Sequence, residues 1–352
     1  MSDQHDNSTY AAAGVDLEAG DRAVELMKSK VARASRPEVV GGLGGFAGLF
    51  ALDTAKYTKP LLASSTDGVG TKIAIARALD KHDTIGQDLV AMVVDDIIVC
   101  GAEPLFLQDY IACGKVVPEK IAAIVGGIAE GCRLAGTALV GGETAEHPGL
   151  MDPEEYDVAA TAVGVVEADK VLGPERVKAG DTLIAMGSSG VHSNGYSLVR
   201  KVIADAGLDL SGTPEGLDRT LGEVLLEPTK IYTLESLALF AEVDVHAMCH
   251  VTGGGIPGNL PRVLPAGTTA TVDRSTWSLP PVFGLLGAAG HIERAELERA
   301  FNVGVGMIAA VAASDADRAI DVLRAQGIDA WACGAVSAAT GEPKATMVSD
   351  YL

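Results

Sequence analysis

The sequence predicts a mixed α/β protein of two domains, and three observations carry this. Its 352 residues are enough for two hydrophobic cores of ordinary size. Apolar β-like runs pass repeatedly into helical spacing through short glycine-containing turns. One charged passage punctuated by Gly and Pro, EADKVLGPERVKAGD (167–181), separates two such sets. The expected division is a leader at 1–20, a first domain at 21–168 and a second at 169–352.

Taken in order, residues 21–35 have helical spacing (Val24, Met27, Val31) and stop before Arg36-Pro37, where proline disfavours continuation. The glycine-rich stretch GGLGGFAGLF (41–50) leads to a strand at 61–66, helices near 70–79 and 84–100, and a strand at 104–112. A helix at 118–135, a short β run at 137–142 and a strand at 157–166 complete the first set. The second set reads as strand 182–187, helix 194–206, helix 228–240, strand 245–250, a turn into helix 255–263, strand 301–311, helix 315–326 and strand 329–337.

Composition narrows the function. Hydrophobic residues make up 48% and aromatics only 4%, so the core is built from small aliphatic side chains and offers no base-stacking platform. A formal charge of -20 with no basic stripe argues against nucleic acid, so an anionic ligand has to be held by local dipoles, a few cations or metal ions. The five cysteines form no CxxC pair and are odd in number, which favours reduced, buried thiols. Residues 1–8 lack a basic-then-apolar signal, and the apolar stretches 89–100 and 121–142 are interrupted by Asp95 and Asp96 and by Glu130 and Arg133. A cytoplasmic protein is the expectation.

Five segments carry chemistry. In SSGVHSNGYSLVR (188–200) small polar residues run into an apolar helix, whose first N–H groups lack internal partners and suit a phosphate; a helix capped by Ser193 or Asn194 is the alternative. STDGVGTK (65–72) sets Asp67 and Lys72 around Gly68 and Gly70, a pattern for metal and phosphate or simply a capped turn. VVDDIIVCGAEP (93–104) places two acids in an apolar helix, and neighbours 100° apart cannot share one polar stripe. At least one of Asp95 and Asp96 is therefore expected at a ligand or metal, with a solvent-facing edge open to one of them. GGETAEHPG (141–149) adds Glu143 and Glu146, and VTGGGIPGNLPR (251–262) reads as a second anion site or a glycine hinge. No HExxH or G-x-S-x-G occurs, and His246 and His250 fall in a strand-like segment as core or edge residues.

These motifs in this order resemble the phosphoribosylformylglycinamidine cyclo-ligase family, the aminoimidazole ribonucleotide synthetases. TYAAAGVDLEAG (9–20), GAEPLFLQDY (101–110), LLEPTKIY (225–232) and FNVGVGM (301–307) join the segments above, and the likeness covers nearly the whole chain. It implies an N-terminal domain whose strands join a second subunit's in a dimeric β-barrel, and a C-terminal α+β domain. It implies ATP and Mg²⁺, with formylglycinamidine ribonucleotide phosphorylated on its formyl oxygen and closed to the imidazole by the ribosyl nitrogen.

Carried onto this sequence, the resemblance implies catalytic roles for Asp67, Lys72 and His192. It puts ATP against Lys28, Gly44, Gly45, Thr66, Asp67, Gly68, Gly70, Lys72 and Glu143, and metal at Asp67, Asp95 and Glu143. Substrate falls to Ser188, Ser189, His192, Ser193 and Asn194, with Gly254, Asn259 and Arg262 beside them. Asp95 stands where the family usually has Asn, His147 where Met is common and Cys100 where Gln is common. Other readings are a thiamine-phosphate kinase-like enzyme, a selenophosphate synthetase-like enzyme, which should carry a reactive Cys near its N-terminus, and a non-catalytic dimeric nucleotide sensor with an eroded acidic set.

Overall fold

The computed structural model describes residues 14–42 and 45–352. Helix α1 (Leu17–Val31) starts where Asp16 accepts the N–H of Ala19. Two short strands, β1 (Val39–Val40) and β2 (Leu49–Phe50), pair across the glycine-rich loop. The first domain then runs β3 (Pro60–Gly68), α2 (Ile73–Ala78), α3 (Ile85–Ile98), β4 (Glu103–Cys113), α4 (Pro118–Ala135), β5 (Ala138–Glu146) and β6 (Tyr156–Glu167).

The strands of the first domain form a four-stranded sheet in the order β3-β6-β4-β5, parallel only between β4 and β5. One face of this sheet is covered by helices. Helix α3 is buried along almost its whole length because the sheet lies on one side of it and α4 on another. Its contact with α4 is close enough to require glycine, since a Cβ on Gly86 would sit 2.0 Å from the backbone N of Ile128. The opposite face, which carries Leu62 (69% exposed) and Tyr110 (42% exposed), is bare among the described residues. Neither this sheet nor the next closes on itself.

The second half contains β7 (Thr182–Gly187), α5 (Tyr196–Ala206), α6 (Leu221–Leu225), α7 (Thr233–Glu242), β8 (Val245–His250), α8 (Gly255–Asn259), β9 (Thr268–Asp273), α9 (Pro281–Ala289), α10 (Arg294–Ala300), β10 (Val305–Val311), α11 (Ala316–Ala325), β11 (Ala330–Ala338) and β12 (Lys344–Val348). Its six strands are ordered β12-β9-β11-β7-β10-β8. Ile184, Met186, Met248 and Met307 from the sheet pack with Leu239 of α7 and Leu323 of α11.

Several elements depart from the sequence expectation. β9, α9, α10 and β12 fall in stretches to which no element was assigned. β9 is short and threonine-rich, α9 opens on Pro280-Pro281 with little polar contrast, and β12 is an edge strand whose partner lies 75 residues away at Thr269 to Lys344. The expected helix at 228–240 begins only at Thr233, and the expected strand at 301–311 begins at Val305, after a loop built on Asn302. Among the described residues no helix is long and apolar enough to cross a membrane.

Candidate active site

Three elements, β3, α3 and β8, bring polar side chains together where the two halves of the chain meet. Asp67 is the penultimate residue of β3, exposed on the helix-covered side, with its carboxylate accepting the N–H of Gly68 at 2.7 Å. Asp96 lies on α3 with a side chain 44% exposed; its Oδ1 meets His250 Nδ1 at 3.0 Å and its Oδ2 accepts from Ser65 Oγ at 3.4 Å. His250 is the last residue of β8. Burial pulls its pKa down, but the Asp96 hydrogen bond and the charges of Asp95, Asp96 and Asp67 outweigh burial and leave it raised.

The adjacent acids have opposite environments. Asp95 is fully buried, and its Oδ1 accepts the backbone N–H of Tyr232 at 3.0 Å while Oδ2 has no partner among the described residues. Burial pushes its pKa up to about 7. Asp95, the expected metal ligand, thus faces the contact with the second half, and the acid of the pair that reaches solvent is Asp96.

Residues 188–195 form a tight loop before α5. The helix begins at Tyr196 after Gly195, with no side-chain cap, so the alternative of a cap from Ser193 or Asn194 does not hold. Most side chains here are already engaged. Ser188 Oγ donates to Gly190 O at 3.0 Å or to Asn302 Oδ1 at 3.1 Å, Ser189 Oγ donates to Pro228 O at 2.6 Å, and Ser193 Oγ meets Thr229 Oγ1 at 3.1 Å. Asn194 has only a weak 3.9 Å contact to the Met92 sulfur and is part-exposed.

His192 is buried in a left-handed conformation (φ 64°). Its Nε2 accepts the Ser189 N–H at 3.2 Å, so the neutral ring carries its proton on Nδ1, which has no partner among the described residues. Burial, then the positive charges of His250, Lys72 and Lys230, hold its pKa well below the usual histidine range. Space for the ring depends on Gly306 of FNVGVGM, where a Cβ would lie 2.7 Å from His192 Cε1 and 2.0 Å from the Tyr232 hydroxyl.

The remaining expected residues are dispersed. Lys72 is fully buried and donates to Asp88 Oδ1 (2.8 Å), His192 O (3.0 Å) and Glu227 O (2.7 Å), which uses all three ammonium protons and leaves none for a phosphate. Asp67 is in register with Ala160, Asp109 and Gly142, whereas Glu143 is in register with Tyr110, Ala159 and Gly68. Successive residues of a strand point to opposite faces, so Asp67 and Glu143 cannot share an ion within one chain. Among the described residues no three His, Cys, Asp or Glu side chains gather as a metal cage, and the expected Asp67–Asp95–Glu143 set is not assembled. Glu146 is spent on the N–H groups of Asp16 (2.8 Å) and Val116 (2.6 Å).

Thr66 lies on the bare face of the sheet, hydrogen-bonded to Thr161 at 2.8 Å. Gly68 lies in the first row of that turn and Gly70 adopts φ 71°. Lys28 pairs with Glu25 on the outer side of α1. Gly44 lies outside the described residues. Gly45 lines a cavity of about 370 Å³ with Ala23, Met27 and Val31 of α1 and Gly142 and Glu143 of β5. Asp109 also lines this cavity, and burial raises its carboxyl to about 7; the sequence reading passed over it inside GAEPLFLQDY.

In the 251–262 segment, Asn259 is buried and holds its own loop: its amide nitrogen shares two protons among the carbonyls of Thr252, Gly253 and Gly255 at 3.0–3.2 Å, and its Oδ1 accepts from Arg262 at 3.1 Å. The glycine-hinge reading describes Asn259 better than an anion site does. Gly254 sits at φ 102°, and Arg262 is exposed.

Comparison with known proteins follows the two halves. Residues 50–166 match the family described as AIR synthase related protein, N-terminal domain, and residues 178–343 match its C-terminal domain. A phosphoribosylformylglycinamidine cyclo-ligase of Myxococcus xanthus is 52% identical over 341 residues, 97% of this chain and 99% of the relative. One from Anaeromyxobacter sp. (strain Fw109-5) is equally similar, at 52% with the same coverage. Among solved structures, thiamine-monophosphate kinase from Stenotrophomonas maltophilia has a TM-score of 0.66 at 18% identity, covering 94% of this chain and 97% of that one. The hydrogenase maturation protein HypE in complex with ATP has a TM-score of 0.64 at 19% identity, covering 94% and 91%. At these identities the two structures share the fold.

Proposed function

The chain belongs to the phosphoribosylformylglycinamidine cyclo-ligase family and is an ATP-dependent ligase of purine synthesis, and we propose that the imidazole ring is closed where its two halves meet. The observation that carries the activity is near-full-length identity to cyclo-ligases in both halves of the chain. The γ-phosphoryl group of ATP passes to the formyl oxygen of formylglycinamidine ribonucleotide, releasing ADP. The ribosyl nitrogen then attacks the same carbon, whose bond to oxygen breaks, and phosphate leaves with that oxygen.

The chain's own groups meet the demands of these steps. Asp67 and Asp96 offer exposed or part-exposed carboxylate oxygens at one rim, a donor set that fits a hard divalent cation shared with phosphates. Mg²⁺ held there would neutralise charge on the transferring phosphoryl group. The N–H groups opening α5, with Asn194, offer donors to an anion, and the charge of Lys230 acts on this loop through His192, which supports residues 188–195 as the site of the substrate's 5′-phosphate. His192, neutral and ringed by the cradle, would orient substrate through its Nδ1 proton.

Leu62, Thr66, Tyr110 and Thr161 leave an uncovered sheet face, which supports a homodimer joined there and the dimeric barrel of the family. Glu143 projects to that same face, so it would act toward a partner subunit rather than toward Asp67. The junction at 167–181 remains our division between domains, and four of the five unpaired cysteines being buried fits a cytoplasmic protein.

The test is formation of aminoimidazole ribonucleotide from formylglycinamidine ribonucleotide with ATP and Mg²⁺, together with sedimentation of the purified protein. One ADP per product from a dimer is expected. Folded protein that yields no product above a no-enzyme control overturns the activity, and a monomer at assay concentration overturns the dimer.

A further inference from the structure

The sequence pattern around Lys72 suggests a phosphate ligand, yet the side chain is sealed between the two halves of the molecule. Its ammonium lies 2.8 Å from Asp88 Oδ1 on α3, 3.0 Å from the carbonyl of His192 and 2.7 Å from the carbonyl of Glu227. Asp88 in turn accepts the backbone N–H and the hydroxyl of Thr229, both at 2.7 Å. Thr229 Oγ1 meets Ser193 Oγ at 3.1 Å, and Ser189 Oγ donates to Pro228 O at 2.6 Å. One ion pair anchored in the first domain therefore grips both loops that build the cradle, 188–193 and 227–229.

The grip falls where the backbone is strained. His192 holds φ at 64°, a conformation that costs a residue with a Cβ on the order of 1 kcal/mol and persists only where its surroundings enforce it. A buried ion pair adds little to stability compared with an apolar pair of the same shape. Its contribution here is better sought in geometry than in folding free energy.

We propose that Lys72 is a positioning residue: its ammonium holds the His192 carbonyl and thereby fixes the left-handed turn that presents the cradle to the substrate's phosphate. The inference rests on the reading of residues 188–195 as the substrate site. It separates Lys72 from the nucleotide, although the residue follows directly on the Asp67 turn. Loss of the ammonium relaxes the cradle and weakens substrate binding while ATP binding is unchanged.

The experiment compares Lys72→Met with the doubly neutral Lys72→Met/Asp88→Asn, measuring thermal midpoint and KM for formylglycinamidine ribonucleotide and for ATP. Lys72→Met leaves a buried unpaired carboxylate and should lose much of the thermal midpoint. The double variant should regain most of that midpoint but keep a substrate KM raised about tenfold, the loss expected for one charge-assisted hydrogen bond, with the ATP KM unaltered. A substrate KM that returns to the wild-type value along with stability overturns the proposal. So does failure of the double variant to fold, which would make the pair a folding element. Asn194→Ala, run in parallel, keeps the two readings apart. If it leaves the substrate KM alone, the cradle reading falls; if it raises KM while the double variant does not, Lys72 alone is misassigned.

Discussion

The rim formed by Asp67 and Asp96 and the cradle at 188–195 are built on opposite plans. At the rim the carboxylates reach solvent with few partners: Asp67 accepts one local N–H, and Asp96 touches His250 and Ser65. In the cradle the serines at 188, 189 and 193 are bonded inside the protein, and the groups left to a ligand are backbone N–H donors and Asn194. On the proposed reading the rim would supply charge that an ion and a triphosphate share, and its side chains must stay free. The cradle supplies shape, and its side chains are used to hold the backbone. Residue type alone does not distinguish the two plans, because serine, asparagine and histidine serve equally as ligands and as struts.

The largest effects should come from the rim. Asp67→Asn and Asp96→Asn should each lower kcat by about 100-fold or more and raise the Mg²⁺ needed for half-maximal rate, since charge stabilisation of a transferring phosphoryl group contributes several kcal/mol. Titration of rate against Mg²⁺ for the two variants checks this. A mild Asp96→Asn phenotype would break the comparison, because Asp96 would then be only the partner that raises the pKa of His250.

Within the cradle the plan predicts a split between neighbours. Asn194→Ala should weaken substrate binding by about 1–3 kcal/mol with ATP binding unchanged, as for a lost hydrogen bond to a charged group. Ser193→Ala removes a contact to Thr229 instead and should cost about 1 kcal/mol of stability, with the substrate Kd held. Calorimetric titration of both ligands beside the thermal midpoint of each variant decides. Equal losses of substrate affinity in both would mean that the serine is a ligand too.

Much of this arrangement was legible in the sequence, and the failures lie where local pattern leaves a side chain's partner undecided. Strand-to-helix turns and the open N-terminus before Tyr196 follow from local pattern, and the structure contains them. Two adjacent helical acids cannot share one stripe, and Asp95 is buried where Asp96 is part-exposed. Which of them reached solvent depended on where α3 meets the second half, a long-range contact with Tyr232 that local sequence does not encode. Lys72 looked like a phosphate ligand because its partners, Asp88, His192 and Glu227, lie 16, 120 and 155 residues away. Asn259 was misleading for the reverse reason: its bonds are local, but an asparagine that closes its own loop has the same sequence as one that offers its amide to a ligand. His250 could have been noticed as the polar end of an apolar strand entering a glycine-rich turn.

The smallest effect on turnover, and the sharpest test of the Asp95 assignment, is Asp95→Asn. Asp95 is buried with a folded-state pKa of about 7 against a usual value of 3.8, so the folded protein keeps a proton that the unfolded chain gives up. Wherever the folded state binds more protons, stability falls as pH rises. The wild-type protein should therefore lose stability between about pH 4 and pH 7 from this residue, with the loss complete above that range. Asparagine has no such proton and can still accept the Tyr232 N–H through its amide oxygen, so the variant should match or trail wild type near pH 4 and exceed it at pH 8. The gain at pH 8 is bounded by a few kcal/mol, and kcat should change little because Asp95 does not reach the rim. Thermal midpoints of the two proteins across this pH range provide the measurement. Parallel curves would show that Asp95 is ionised in the folded protein, held by a charge partner, and a large fall in kcat would return it to the catalytic rim beside Asp96.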